Sequence, residues 1–263
     1  MAMRKTTKRR LSRGVNYAIF AAVVVFVVVA ADWERISSQF FRLDIAREQL
    51  PEIITIALKN TLLFTAISFV GGLVLAVVMA LLKLSPVAPY RWFATAYIEF
   101  FRGVPALLTI FAMAYMLPIA FGIKVPGGQV GAGLVGLILV ASAYMAEVIR
   151  AGIQAVPKGQ SEAARSLGMS EGRTMFWVIL PQGFRIIIPP MTNEFVLLLK
   201  DTSLLFIAGS TVFTKELTTF ARDGLTTTAN GTPLIMAAML YLLVTIPLTR
   251  LVAWLERKMA RAR

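Results

Sequence analysis

The sequence predicts an all-α protein, a polytopic transmembrane helical bundle, and three observations support this fold class. Hydrophobic residues make up 57% of the 263 residues and charged residues only 16%, whereas soluble domains carry about 25% charged residues. The apolar residues are concentrated in long uncharged stretches, and about 20 such residues cross a bilayer as one helix. No stretch alternates strictly between apolar and polar residues, so the pattern does not support a transmembrane β-barrel.

Six transmembrane spans are predicted from the uncharged stretches. The fifth span is unusual because it carries Glu194 and is interrupted by Lys200 and Asp201. The predicted spans cover residues 15–31, 61–82, 103–123, 125–146, 186–199 continued by 202–214, and 233–249.

Residues 15–31 fit two interpretations. A basic segment precedes them and the small pair Ala30-Ala31 closes them, as in a secretory signal. An uncharged stretch of 17 residues is long for the apolar region of a signal, which favours a retained, uncleaved transmembrane helix. Cleavage would leave the other five spans in the same orientation.

The distribution of lysine and arginine predicts that both chain ends are cytoplasmic. If the first span is retained and the spans alternate, the inner segments hold 18 of these residues and the outer segments hold seven. This asymmetry agrees with the positive-inside rule. The chain then divides into basic cytoplasmic tails at 1–14 and 257–263, an extracytoplasmic linker at 32–56, and a transmembrane domain at 57–256 with a cytoplasmic loop at 151–185.

Several kinds of chemistry are excluded by what the sequence lacks. Cysteine and histidine are absent, which excludes thiolate or imidazole metal sites, Ser-His or Cys-His nucleophiles and disulfides. No G-x-x-x-x-G-K-[ST] phosphate loop occurs, so ATP cannot be hydrolysed through such a loop. We predict no catalytic residue, no metal ligand and no cofactor in this chain. The net charge of +13 is attributed to contact with anionic lipid rather than nucleic acid.

The cytoplasmic loop has the pattern of a short helix between two breaks. Pro157 is expected to end the preceding helix. Ser161 is predicted to cap a new helix, and Glu162 to lie in its first turn. Gly168 is predicted to end this helix, which covers Ser161 to Leu167, in the left-handed conformation after the C-cap. The small and apolar residues on it are Ala163, Ala164 and Leu167.

A second helix is expected after Gly168, capped by Ser170 and running to Pro181. From periodicity alone, the loop fits either a docking surface for another protein or an ordinary loop at the membrane surface.

The residue order in this loop carries a family resemblance. Glu162-Ala163-Ala164 is followed by Gly168 and then by Ile179-Leu180-Pro181. This order resembles the EAA loop of permeases from binding-protein-dependent ABC transporters, with Val178 replacing that family's isoleucine. In the family this loop docks on the ATPase subunit. The resemblance implies an ATPase-coupling role for Glu162, Ala163, Ala164, Leu167 and Gly168.

Three further strings are similar to the branch of this family that imports polar amino acids such as histidine, glutamine, arginine and glutamate. They are YIEFFRGVP at 97–105, Ala143-Tyr144 with Glu147 and Arg150, and Pro189-Pro190 with Asn193 and KDTSL at 200–204. The motif residues that the resemblance implies are Glu99, Arg102, Gly103, Pro105, Tyr144, Glu147, Arg150 and Pro181. The resemblance covers about residues 50–255, so residues 1–50 lie outside the family's compact five-helix pattern.

The resemblance implies a transmembrane permease subunit of an ATP-driven amino-acid importer in the bacterial inner membrane, with the helical bundle of an ABC importer permease. Its expected partners are ABC ATPase subunits, a second permease subunit that is identical or related, an extracytoplasmic amino-acid-binding protein and membrane lipid. The expected substrate is a polar amino acid. ATP and Mg²⁺ are expected in the ATPase partner, and no nucleic-acid partner is expected.

Two pairs of opposite charges occur at the ends of predicted spans. Glu99 and Arg102 are three residues apart, as are Glu147 and Arg150, so each pair would lie on one helix face. We expect each pair to form an ion pair. The alternative is that these side chains face an aqueous path, because ionisable groups inside a membrane are costly without a partner or water.

The fifth span holds the candidate substrate path. Pro189-Pro190 and Lys200-Asp201 are expected to break its helix, and broken helices near the membrane midplane often line substrate sites. Charges of both signs would suit a zwitterion, while the alternative is an internal salt bridge that holds the break. The candidate residues are Asn193, Glu194, Lys200, Asp201, Thr202 and Ser203.

Two other functional classes compete with the importer. One is a secondary transporter driven by an ion gradient, with Glu194 or Asp201 carrying protons. The other is a membrane-embedded enzyme or insertase scaffold, which the missing histidine and cysteine disfavour.

Overall fold

The computed structural model describes the backbone of residues 5–260 and the side chains of residues 15–259, and this part of the chain is helical without a strand. Residues 1–4 and 261–263 of the two predicted basic tails lie outside the described residues. The α-helices are α1 Lys5–Ala30, α2 Trp33–Phe40, α3 Leu43–Glu52, α4 Lys59–Leu84, α5 Ala88–Gly103, α6 Ala106–Phe111, α7 Leu117–Phe121, α8 Gly128–Gln154, α9 Lys158–Ser166, α10 Glu171–Thr174, α11 Leu180–Asp201, α12 Leu217–Thr228 and α13 Thr232–Ala260.

Short segments of other helix types connect several of these helices. The π-helical segments are Ile53–Leu58, Ala112–Met116 and Met175–Ile179, and Thr202–Ala208 is a 3₁₀-helix. Pro118 and Pro181 each follow a π-helical segment by two residues. A proline ring clashes with the carbonyl four residues earlier, and in both places that carbonyl belongs to the wider π turn. The chain therefore continues as a helix through both prolines.

The long apolar helices overlap three of the six predicted spans, 61–82, 125–146 and 233–249. Three stretches are long and apolar enough to cross a membrane: Trp33–Leu84, Gly128–Gln154 and Thr232–Met259. A fourth is counted if Ala88–Gly103 and Ala106–Phe121, which meet at 104°, form one broken span. The apolar part of α1, Val15–Ala30, is shorter. The total of six spans stays a prediction.

Helix α8 is the centre of the bundle, and small residues let its neighbours approach closely. A Cβ atom at Gly136 would lie 2.9 Å from the Cα of Ile110 on α6. A Cβ atom at Gly152 would lie only 2.3 Å from the Cγ1 of Ile187 on α11. Close packing through small residues is the usual way in which helices associate within membranes. This packing fixes α11 against α8.

The predicted break at Pro189-Pro190 is wrong, because α11 is continuous from Leu180 to Asp201. Prolines remove backbone donors, but packed neighbours and hydroxyl side chains compensate for this loss in membrane helices. Here α11 packs closely against α8, where a Cβ atom at Gly152 would lie 2.3 Å from Ile187. The second predicted interruption is present: at Thr202 the α-helix gives way to the 3₁₀-helix, which ends before Gly209 at φ +74°.

Candidate functional site

The cytoplasmic loop forms the short helix α9, but it begins earlier than predicted. The N-cap residue is Pro157 rather than Ser161, and the Gln160 N–H donates to the Pro157 carbonyl at 3.0 Å. Proline fixes φ at a value that suits the start of a helix, so the first turn forms directly after it. Ser161 and Glu162 consequently lie inside α9, and the prediction that Glu162 occupies the first turn is wrong.

The end of α9 has the predicted geometry. Gly168 has φ +83°, a left-handed conformation that disfavours residues with a Cβ atom. Its N–H donates to the carbonyl of Arg165 at 2.9 Å, and the Met169 N–H donates to that of Ala164 at 3.1 Å. These two bonds form a Schellman motif, which satisfies the last carbonyls of the helix and turns the chain sharply.

One face of α9 rests on the bundle and the other is open. Ala164 is only 5% exposed, whereas the Leu167 side chain is 86% exposed. Glu162 and Ala163 are also exposed. An apolar side chain held outward at the end of a capped helix is suited to a groove on a partner.

After Gly168 the chain does not form an isolated second helix. Ser170 is the N-cap residue of α10, as predicted, although its side chain makes no capping hydrogen bond. Helix α10 passes through the π-helical segment directly into α11. The prediction that this helix ends at Pro181 is therefore wrong. Residues 171–201 form one continuous helical path from the loop to the candidate substrate residues.

Glu147 and Arg150 form the predicted ion pair. The Arg150 Nε donates to Glu147 at 3.0 Å, and its Nη2 donates to the second carboxylate oxygen. Sequence analysis missed the third member, Lys83 of α4, whose Nζ lies 3.3 Å from Glu147 Oε2. Since all three side chains are about a quarter exposed, the cluster joins α4 to α8 in a partly shielded position.

The predicted pair between Glu99 and Arg102 is wrong. The Arg102 guanidinium instead lies over the ring of Tyr144 on α8, 5.4 Å from its centroid. Glu99 is exposed and lies on the first arm of the 104° bend, Ala88–Gly103. Arg102 is in the last turn of α5, just before the bend at Gly103 to Pro105, so its long side chain reaches the neighbouring helix.

The fifth-span residues divide into an exposed and a partly buried set. Asn193 and Lys200 are exposed two turns apart on one face of α11, while Glu194 and Asp201 are partly buried. Thr202 is buried and donates to the Leu199 carbonyl at 2.6 Å, and Ser203 is partly buried. Among the side chains of residues 15–259, none forms an ion pair with Glu194, Lys200 or Asp201. The alternative interpretation, an internal salt bridge that holds the break, therefore has no support in the described part of the chain.

Charged residues of two helices lie within electrostatic range of Glu194. This carboxylate lies within electrostatic range of Asp201 on α11 and of Arg102 on α5. Arg102 in turn contacts Tyr144 on α8. We call Arg102, Tyr144, Glu194 and Asp201 the polar cluster. It combines two carboxylates, a guanidinium and a phenol, which together can bind both the ammonium and the carboxylate of a zwitterion.

Glu216 is a buried carboxylate that sequence analysis did not identify. It caps α12, accepting from the N–H groups of Thr218 at 2.5 Å and Thr219 at 2.6 Å. The Thr219 hydroxyl also donates to it at 2.5 Å, and the Tyr241 hydroxyl on α13 lies 3.4 Å away. Burial raises the pKa of Glu216, and these hydrogen bonds oppose that shift. Its position just before a segment with helical apolar periodicity could have indicated a capping role, but glutamate is not a favoured N-cap residue.

Comparison with known sequences identifies the family. Residues 72–261 match the family described as "Binding-protein-dependent transport system inner membrane component". The chain is 40% identical over 205 residues to the probable glutamine ABC transporter permease protein GlnM of Bacillus subtilis (strain 168), covering 77% of this chain and 91% of that protein. It is 35% identical over 211 residues to the arginine transport system permease protein ArtQ of the same organism, covering 80% and 94%.

Solved structures agree with these sequence relatives. The chain matches "Crystal structure of an amino acid ABC transporter with histidines" with a TM-score of 0.72 at 34% identity, over 80% of this chain and 95% of that one. It matches the inward-facing MetNI methionine ABC transporter with a TM-score of 0.62 at 19% identity, over 79% and 98%. The second match supports the fold alone.

The assignment to a family follows from these matches. A permease subunit of this family is not itself an enzyme, because ATP hydrolysis takes place in the partner subunit. The chain belongs to the binding-protein-dependent inner-membrane components, within the branch of amino-acid ABC transporter permeases, and is a multi-pass protein of the bacterial inner membrane.

Proposed function

We propose that this chain and a second permease subunit, identical or related, form the translocation path of an importer for a polar amino acid. The polar cluster is the observation that carries this proposal. Its charges lack ion-pair partners in the described part of the chain, which is costly inside a membrane unless they face water or a ligand. The names of its relatives, which specify glutamine, arginine and other amino acids, support the same substrate class.

The proposed contact with the ATPase partner is helix α9. Its exposed residues Glu162, Ala163 and Leu167 would dock in a groove of the ATPase, and Gly168 would hold the helix at the required angle. ATP and Mg²⁺ would bind in that partner. An extracytoplasmic binding protein would deliver the amino acid to the opposite end of the path.

The two sites would be coupled through a single structural element. Residues 171–201 run as one helical path from the Schellman turn to Asp201, and α11 is packed against α8 at Gly152. Closure of the ATPase subunits would push α9, and this rigid path would carry the displacement to the polar cluster. Alternation between outward- and inward-facing states would follow.

Reconstitution tests this proposal. Proteoliposomes that contain the chain, its candidate ATPase and its binding protein should accumulate amino acid only when all components and ATP are present. Ionophores that collapse ion gradients should leave uptake unchanged. Uptake that needs neither partner but is abolished by ionophores would instead establish the ion-coupled secondary transporter, with Glu194 or Asp201 as the proton carrier.

A further inference from the structure

A pocket of about 400 Å³ opens beside the start of α9. It lies between the linker that joins α8 to α9, the first turns of α11 and the last turn of α13. Its walls are mainly apolar, and one cationic side chain lies in them. Its lining includes Val156, Pro157, Gln182, Arg185, Ile186 and Met259.

Among residues 15–259, Arg185 is the only charged side chain that lines this pocket. It is exposed, and among residues 15–259 no carboxylate lies within ion-pairing distance of it. The other polar side chain, Gln182, already donates to the Val178 carbonyl at 2.9 Å and lies 3.3 Å from Gln160. The pocket thus offers a free guanidinium against apolar walls, a combination that matches an amphiphile with an anionic head.

Aromatic side chains indicate that the pocket lies at the level of the lipid headgroups. Trp177 is 69% exposed and precedes α11, and Trp254 is 49% exposed one turn before Lys258. The Lys258 Nζ lies 4.9 Å from the centroid of the Trp254 ring. Exposed tryptophans beside basic residues are typical of the membrane–water interface. A ligand that enters this pocket would therefore come from the bilayer.

We propose that this pocket binds an anionic phospholipid of the cytoplasmic leaflet. Its phosphate would pair with Arg185, and the upper part of an acyl chain would lie against Ile186, Val156 and Met259. Since Pro157 is both a wall of the pocket and the N-cap residue of α9, a bound lipid would brace the start of α9 against α11 and α13. This inference depends on the membrane location of the chain and not on its substrate.

Native mass spectrometry of the purified full-length chain tests the proposal. The chain would be released from vesicles of phosphatidylcholine alone, or of phosphatidylcholine with about one third phosphatidylglycerol. We expect retained phosphatidylglycerol on the wild-type protein and about fivefold less on Arg185→Gln, because one arginine near an anionic surface contributes about 1 kcal/mol. Arg173→Gln is the matched control, since Arg173 is exposed on the preceding helix and does not line the pocket.

Three outcomes would overturn the proposal. One is equal retention of phosphatidylglycerol and phosphatidylcholine by the wild-type protein. Another is an equal loss of phosphatidylglycerol in Arg185→Gln and Arg173→Gln, which would indicate diffuse attraction by the basic surface. The third is lipid retention that is unchanged in Arg185→Gln while copurification of the ATPase falls, which would make the pocket part of the ATPase interface. Free glycerol phosphate should not displace the lipid, because it has no acyl chain to bury.

Discussion

The helical path of residues 171–201 connects helix α9 to the polar cluster, but the two features are held together by different forces. The shape of α9 comes from local backbone geometry: a proline at its start, a left-handed glycine after its end and two hydrogen bonds between neighbouring turns. The polar cluster exists only because α5 and α11 both pack against α8, and its carboxylates are left without ion-pair partners in the part of the chain that the structure describes. A motif fixed by local geometry keeps its shape when a partner binds to it, which suits a docking surface. Charges without ion-pair partners can bind a substrate and release it again, which suits a translocation path.

The strongest test of this contrast is Asp201→Asn. If Asp201 faces the substrate, removing its charge should lower uptake in the reconstituted importer by about tenfold, the value of one charge-assisted hydrogen bond. Expression and ATPase copurification should not change. Glu171→Gln, a neutralisation at an exposed site on α10, is the control and should transport normally. An unchanged uptake rate and substrate range for Asp201→Asn would show that Asp201 is only structural.

A second test addresses the coupling side. Gly168→Asp places a Cβ atom at φ +83°, a conformation that costs an ordinary L-residue about 1–2 kcal/mol. The turn should shift, and the affinity for the ATPase should fall by about fivefold or more while the protein stays in the membrane. Quantitative copurification with the ATPase measures this change.

Gly172→Asp is the matched control for the coupling side. It introduces the same side chain four residues later, where a Cβ atom also meets open space but the backbone has no positive φ. Equal ATPase binding by both variants and the parent would remove Gly168 from the coupling mechanism.

The same contrast explains what could be predicted from sequence. Gly168 and the pair of Glu147 with Arg150 depend on residues three to five positions apart, so local rules were sufficient. The start of α9 was misplaced because Ser161 is a favoured N-cap residue, whereas Pro157, which was expected only to end the preceding helix, also begins α9. The contact of Arg102 with Tyr144 depends on a 104° bend between helices, which no local spacing encodes. The straight path through Pro189-Pro190 likewise depends on packing against α8.

Arg102 provides a smaller test of the polar cluster. Lysine at this position keeps the charge but loses the planar group that lies over Tyr144, an interaction of about 0.5–1 kcal/mol. Uptake by Arg102→Lys should therefore fall by about two- to fivefold. Tyr144→Leu should lower uptake by a smaller factor in the Arg102→Lys background than in the parent, because the two residues act together. Glu99→Gln should have no effect on uptake. A loss of uptake equal to that of Arg102→Lys would instead indicate that Glu99 and Arg102 act as the ion pair predicted from the sequence.

The smallest expected effect concerns Glu216, a carboxylate with the partners that Asp201 lacks. Because burial raises its pKa in the folded protein, folding favours the protonated form. Its contribution to stability is present below the unfolded pKa of about 4.3 and is lost as pH rises through the higher folded value. Glu216→Gln cannot ionise, so the fall in unfolding temperature from acidic to neutral pH should be shallower in this variant.

The glutamine amide still accepts one backbone N–H but turns its own donors toward the other. Glu216→Gln should therefore be less stable than the parent by about 1 kcal/mol in acid, while amino-acid uptake stays normal. Thermal unfolding in detergent across this pH range measures both effects, with Glu171→Gln as the exposed control. A parallel pH profile for parent and variant would show that Glu216 does not change its proton affinity on folding. A loss of uptake with unchanged stability would place Glu216, like Asp201, on the substrate path. The presence or absence of hydrogen-bond partners would then no longer distinguish structural carboxylates from those that contact the substrate.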